Sequence, residues 1–230
     1  GGGWGGGGGG GWGVQKPWLK NNSSKPMAGT VPKEFEIDEG KRHTGTVSGY
    51  WKLNGYGFIE MDTKGAVPND KVFVYWTGIQ SSDRFPQLTK GMQVEFSLTK
   101  ETKNGSTTVS AKNVTMPGGA DINLQDEADG KKKFVGGQNI RYTGKLKFFI
   151  PKRGYGYIQI DDGYQYPIEG VPKEIRVETA EVNAGGKQPT YLKDVEVEFG
   201  IWQTQKGVFK AYNMTGPGGV AMPTSTTAPP

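Results

Sequence analysis

The chain has 230 residues, a net charge of +5, 38 Gly and no Cys, which leaves room for one large or two small domains. Without Cys there is no disulfide and no thiolate metal site, and with His43 as the single His a zinc centre of several imidazoles is excluded. There is no leader-like segment and no apolar run approaching about 18 residues, so the chain is expected to be soluble, intracellular and away from membranes.

Residues 1–40 balance at zero charge and read as an unfolded tail. Its first 13 residues are Gly except for Trp4 and Trp12, a composition that cannot bury a core. Trp in such a tract either stacks on bases or belongs to an inert tail. His43, at a domain edge, is expected to be solvated.

From Thr44 onward, short β-rich runs alternate with turn signals: Gly45–Tyr50, Gly55–Met61, Lys71–Trp76, Met92–Leu98 and Ser106–Val114. Asn54-Gly55 and Asn104-Gly105 are hairpin signals. Five strands in so short a span predict a small closed barrel.

Residues 116–130 carry Asp121, Asp126, Glu127 and Asp129 and no base. They separate two basic blocks: ten Lys or Arg against six acids in 41–115, and fourteen against nine in 131–216. That division suits a polyanion partner, with ordinary surface charge as the alternative.

The strand pattern then recurs. Gly45-Thr46-Val47 and Gly55-Tyr56-Gly57-Phe58-Ile59 return as Gly144-Lys145-Leu146 and Gly154-Tyr155-Gly156-Tyr157-Ile158. The run from Ala111 to Pro117 returns from Ala211 to Pro217. Two separated motifs repeating at nearly one offset argue for a duplicated domain.

In a strand, Tyr56 and Phe58 share one face and Gly57 and Ile59 the other. Val72-Phe73-Val74-Tyr75 alternates likewise. With the Val and Ile side inward, four rings lie outside, where base stacking gives them a use. The alternative is a core or a protein interface. Lys41, Arg42, Lys52 and Lys71 are placed to meet phosphates.

These residues resemble the cold-shock domain family. Gly55–Ile59 and Val72–Ile79 look like its two ribonucleoprotein motifs, and Ala111–Gly119 resembles the domain end of the eukaryotic Y-box subgroup. The resemblance implies five-stranded oligonucleotide-binding barrels that take single-stranded RNA or DNA with little sequence preference.

The departures lie in the first strand and in the second copy. The family's stacking Trp position is Gly49 here, with Tyr50 or Trp51 as substitutes. The second copy keeps a ring there as Phe148, which needs a bulge to turn outward. Its second motif reads Ile175-Arg176-Val177-Glu178, with Arg176 and Glu178 in place of rings.

The chain is therefore expected to be all-β, with two cold-shock-type OB-fold barrels and disordered tails. The divisions are a tail 1–40, a first cold-shock domain 41–119, a flexible linker 120–136, a second, divergent domain 137–219 and a tail 220–230. The expected nucleic-acid site is Tyr50, Trp51, Lys52, Tyr56, Phe58, Phe73, Tyr75 and Trp76, with Lys147, Phe148, Lys152, Arg153, Tyr155 and Tyr157 in the second barrel.

No catalytic residue, metal or cofactor is expected, since Asp161-Asp162 reads as a polar turn. The partner is single-stranded RNA, with single-stranded DNA as the alternative, and the role is mRNA regulation or RNA chaperoning in the cytoplasm with nuclear shuttling as a variant. The competing reading is a ribonucleoprotein subunit whose second barrel binds protein or a second copy.

Overall fold

A computed structural model of the chain describes residues 29–224. The Gly/Trp tract and the last six residues fall outside them, and the expectations about those tails fall outside with them.

The first half carries β1 (Thr30–Val31), β2 (Arg42–Trp51), β3 (Tyr56–Met61), β4 (Lys71–Tyr75), β5 (Gln93–Lys103) and β6 (Ser106–Thr115). A short helix, α1 (Gln125–Asp129), follows. The second half carries β7 (Lys133–Phe134), β8 (Tyr142–Ile150), β9 (Tyr155–Ile160), β10 (Glu174–Glu178), β11 (Leu192–Gln203) and β12 (Phe209–Thr215).

Strands β2 to β6 close a five-stranded barrel. β2 pairs with β3 and β5, β3 with β4, β5 with β6, and a short parallel pairing of β4 with β6 shuts the ring. Strands β8 to β12 repeat this order, closed where Arg176 on β10 faces Lys210 on β12. Both are OB-fold barrels.

Alternation along the strands builds the cores. In β3 the pattern Tyr-Gly-Phe-Ile-Glu-Met sends Gly57, Ile59 and Met61 inside, and β9 repeats it with Gly156, Ile158 and Ile160. Phe96 and Phe199 are fully buried, one in each core. The Asn104-Gly105 turn has positive φ at both residues (51° and 76°), as a two-residue hairpin of the right twist requires.

Three segments differ from the sequence expectation. Residues 30–39, assigned to the tail, pack on the first barrel. β1 pairs with β6, Val31 is buried, and Lys112 forms an ion pair with Glu39. At the other end, Met222 is buried and Thr224 bridges to Pro189, so the second barrel extends past 219. His43 is buried rather than solvated and stacks on Phe96 at 6.1 Å.

The third difference concerns the spacer 120–136, expected to be flexible. Ile122 is buried in the first core, and Asp83 accepts hydrogen bonds from the backbone N–H groups of Leu124 and Gln125 at the start of α1. β7 pairs with β11.

The two barrels meet at a seam, where Arg84 of the first barrel reaches Asp129 of the spacer and Glu181 of the second barrel, each at 2.8 Å. Lys132 joins the same two carboxylates, and the Tyr212 hydroxyl donates to Asp129. The side chains of Arg84, Asp129 and Glu181 are 7%, 3% and 6% exposed.

Burial alone would raise the Asp129 pKa. The hydrogen bonds and charge of Arg84, and then of Lys132, hold its carboxyl well below the usual range. Removing one member of such a cluster strands the others. Arg84→Met is therefore expected to cost about 3–5 kcal/mol in urea unfolding.

A carboxylate held down in the folded state contributes stability that is present above its unfolded pKa of 3.8 and lost as pH falls. His43, held low by burial and then by Lys41, acts in the same direction below about pH 6.5. Melting temperature should therefore fall on acidification. Asp129→Asn should flatten the lower part of that curve; an unchanged curve would mean that Asp129 is not ionised in the folded chain.

Candidate nucleic-acid interface

The face begins with paired rings. β3 and β4 set Tyr56 opposite Tyr75 and Phe58 opposite Phe73. Phe73 lies 5.8 Å from each of Tyr56 and Phe58, centroid to centroid. These rings are half-buried, while Ile59, Val72 and Val74 on the opposite side fill the core.

A bulge in β2 decides which of Tyr50 and Trp51 joins them. The β2–β3 register shifts between Val47 and Gly49, so the alternation reverses after Ser48. Tyr50 turns inward against the core, and its hydroxyl donates to the Pro86 carbonyl at 3.3 Å. Burial raises its phenol pKa.

Trp51 turns outward. It is 50% exposed and lies 5.2 Å from Tyr56 and 6.1 Å from Phe58. Beside it an open depression of about 450 Å³ lies among Gly49, Trp51, Phe58, Asn69 and Lys71.

Trp76 does not belong to this face. It is 1% exposed and packed on Phe85 at 4.9 Å, on the side that Val72 and Val74 take, at the start of a 3-10 turn. Lys52 and Lys71 are exposed at the margins. Arg42 instead holds the Asn113 carbonyl and the Thr115 hydroxyl.

The second barrel carries the bulge its sequence required. The β8–β9 register shifts between Leu146 and Phe148, which puts Phe148 outside and Phe149 in the core. Phe148 and Tyr157 stand 5.9 Å apart, and Tyr157 and Tyr155 6.0 Å.

This second face is partly covered by its own chain. The Arg176 guanidinium lies 4.2 Å from the centre of the Tyr155 ring. Lys147 pairs with Glu174, and Glu178 pairs with Lys210. Lys152 and Arg153 remain exposed in the β8–β9 turn.

The glycines of the two ring motifs are required by close approach. A Cβ on Gly57 would run into the Gly49 carbonyl, and one on Gly156 into the Phe148 carbonyl. Gly57→Ala is thus expected to lower stability by about 1–3 kcal/mol and to disturb the Trp51–Phe58 contact. Thermal melting and tryptophan fluorescence would report the two effects.

Residues 43–117 match the family model described as the 'Cold-shock' DNA-binding domain. "Cold shock protein 1" of Arabidopsis thaliana is 37% identical over 79 residues, 34% of this chain and 23% of that protein. The chain thus spans about a quarter of that relative's length. "Cold shock-like protein" of Aquifex aeolicus (strain VF5) is 40% identical over 74 residues, 32% of this chain and 93% of that protein.

A solved structure titled "drosophila Unr CSD456" aligns over 80% of this chain and 64% of its own at 16% identity, with a TM-score of 0.29, too low to bear on the fold. The first barrel carries the matched motifs on one strand pair, and its match spans nearly the whole of the Aquifex protein. The chain belongs to the cold-shock domain family.

Proposed function

We propose that the chain binds single-stranded nucleic acid, RNA before DNA, by stacking bases on Trp51, Tyr56, Phe58 and Phe73 of the first barrel. The observation that carries this is the cluster itself. Four rings, each in contact with two of the others, stand on the outside of a small barrel with Lys52 and Lys71 at their margins. Every base offers a π-face to such a platform, so binding tolerates many sequences. The role follows the Y-box-like reading of the first domain: control of mRNA stability or translation, or RNA chaperoning.

The second barrel is the weaker partner. Arg176 on Tyr155 and the Lys147–Glu174 pair take up groups that would otherwise meet bases and phosphates. Phe148 and Tyr157, with Lys152 and Arg153 nearby, remain as its contribution. The same self-covered strand supports the second reading, in which this barrel meets a protein within a ribonucleoprotein assembly.

The direct test is anisotropy of a fluorescent single-stranded RNA titrated with the full chain, with a duplex of equal sequence as control. Tyr56→Ala/Phe58→Ala is expected to weaken single-strand binding by about 1–3 kcal/mol per stacked base removed, roughly 5- to 150-fold. Equal affinity for the duplex, or no loss in the variant, would defeat the stacking reading.

A gain is also expected. A Cβ on Gly49 would meet only the edge of Trp51, at 3.8 Å. Gly49→Trp should be accommodated in the depression without loss of melting temperature. It should tighten RNA binding by about 1 kcal/mol or more by restoring a ring. Weaker binding would mean that the depression itself receives a base.

A further inference from the structure

The second barrel touches the first at the end of the aromatic face. The Phe58–Phe73 and Tyr56–Tyr75 rows stand about 6.8 Å apart along the strands, and the tyrosine row is the one that reaches the second barrel. The Tyr75 hydroxyl donates to Oε1 of Gln188 at 3.2 Å. Gln188 lies on the segment between the 3-10 turn Thr179–Glu181 and β11.

That segment is pinned to the first barrel at further points. Arg84 donates through Nε to the Ala180 carbonyl at 3.1 Å and pairs with Glu181. A Cβ on Gly186, at φ 74°, would stand 3.1 Å from the Asp83 carbonyl oxygen. Lys187 lies between Gly186 and Gln188. It is exposed and forms no ion pair among the described residues.

We propose that this segment of the second barrel is one wall of the first barrel's binding site. A single strand stacked on Phe58, Phe73 and Tyr56 passes Tyr75 and places a phosphate against Lys187. Gln188 is a positioning residue that holds the Tyr75 phenol. This rests on the reading of the aromatic face as the nucleic-acid site, and adds to it that the site is complete only when the two barrels are joined.

The buried charges make such a wall effective. The segment is fixed before ligand arrives, so Lys187 meets the strand without the ordering cost of a loose loop. A spacer that merely tethered the barrels would leave Lys187 at no defined distance from Tyr75.

The test is anisotropy of a fluorescent oligouridine of about 12 nucleotides, titrated with the full chain at several salt concentrations. Lys206, exposed in the β11–β12 turn, supplies a charge-matched control. Lys187→Ala is expected to weaken binding about 3- to 10-fold and to lower the log–log salt slope by about 0.7, one phosphate contact on a single strand. Lys206→Ala should stay within about 2-fold. The loss in Gln188→Ala should vanish in a Tyr75→Phe background, since coupled residues do not add.

Tyr56→Ala/Phe58→Ala, run in parallel, separates the two readings. If it loses binding while Lys187→Ala matches Lys206→Ala, the wall is refuted and the aromatic face stands. If it binds as the parent does, the face falls and the wall with it. Fully additive losses at Tyr75 and Gln188 would remove the positioning role alone.

Discussion

Arg84 places a guanidinium where water barely reaches, and two carboxylates from different parts of the chain come to meet it. Asp129 brings the spacer and Glu181 brings the second barrel. Its guanidinium also lies over the ring of Tyr212 at 4.8 Å. A cluster of this kind is a poor source of net stability, because the desolvation of each ion offsets much of the attraction. Its effect is on geometry. Any relative placement of the barrels that parted these groups would leave a charge buried and unpaired, and that penalty selects one arrangement. The spacer's acids, which in isolation suggest a solvated strip, serve in part as the counter-charge that this arrangement needs.

The two ring faces are built alike and differ on the facing strand. Both barrels use the same device: a bulge at the same point of the first strand, and a Gly between two rings where the neighbouring carbonyl leaves no room for Cβ. In the first barrel the facing strand offers Phe73 and Tyr75. In the second, Arg176 faces Tyr157 across the ladder and settles on Tyr155, while Glu178 is drawn to Lys210. Arg176 and Glu178, standing where the first barrel has Phe73 and Tyr75, thus make an internal cation–π contact and an ion pair. Neither disturbs the inward side, where Ile175 and Val177 stay buried.

The barrels were legible in the sequence because their signals are local. Strand alternation, Asn-Gly turns and the repeat at nearly constant offset each lie within a short window, and they specify the hairpins directly. The outward turn of Phe148 was readable only as a requirement for a bulge. The choice between Tyr50 and Trp51 depended on the same irregularity, which period-2 counting cannot place. Trp76 follows the alternation inward with Val72 and Val74, and its place beside Tyr75 in the ring-rich motif does not put it on the outer face. The seam was invisible for a different reason. Arg84 and Glu181 are 97 residues apart, and an Arg in a polar loop reads as surface until its partners are known. The docking of residues 30–39 was hidden in the same way, since Val31, Phe35 and Ile37 are too sparse to announce a core contribution.

A tethered pair and a fixed pair of binding modules differ in what they do with a second site. A tether raises the local concentration of the second site and tolerates many strand paths. A fixed seam gives up that tolerance and favours strands that take the path the surface offers. Here the second barrel's rings are partly covered by its own charges, and the join lies at the Tyr56–Tyr75 end of the first barrel's ring face rather than at its back. On the proposed reading, the second barrel serves the first without a strong site of its own. Arg176 can then lie on Tyr155 and Glu178 pair with Lys210 at little cost to binding, because the second barrel's proposed contribution is made at the seam.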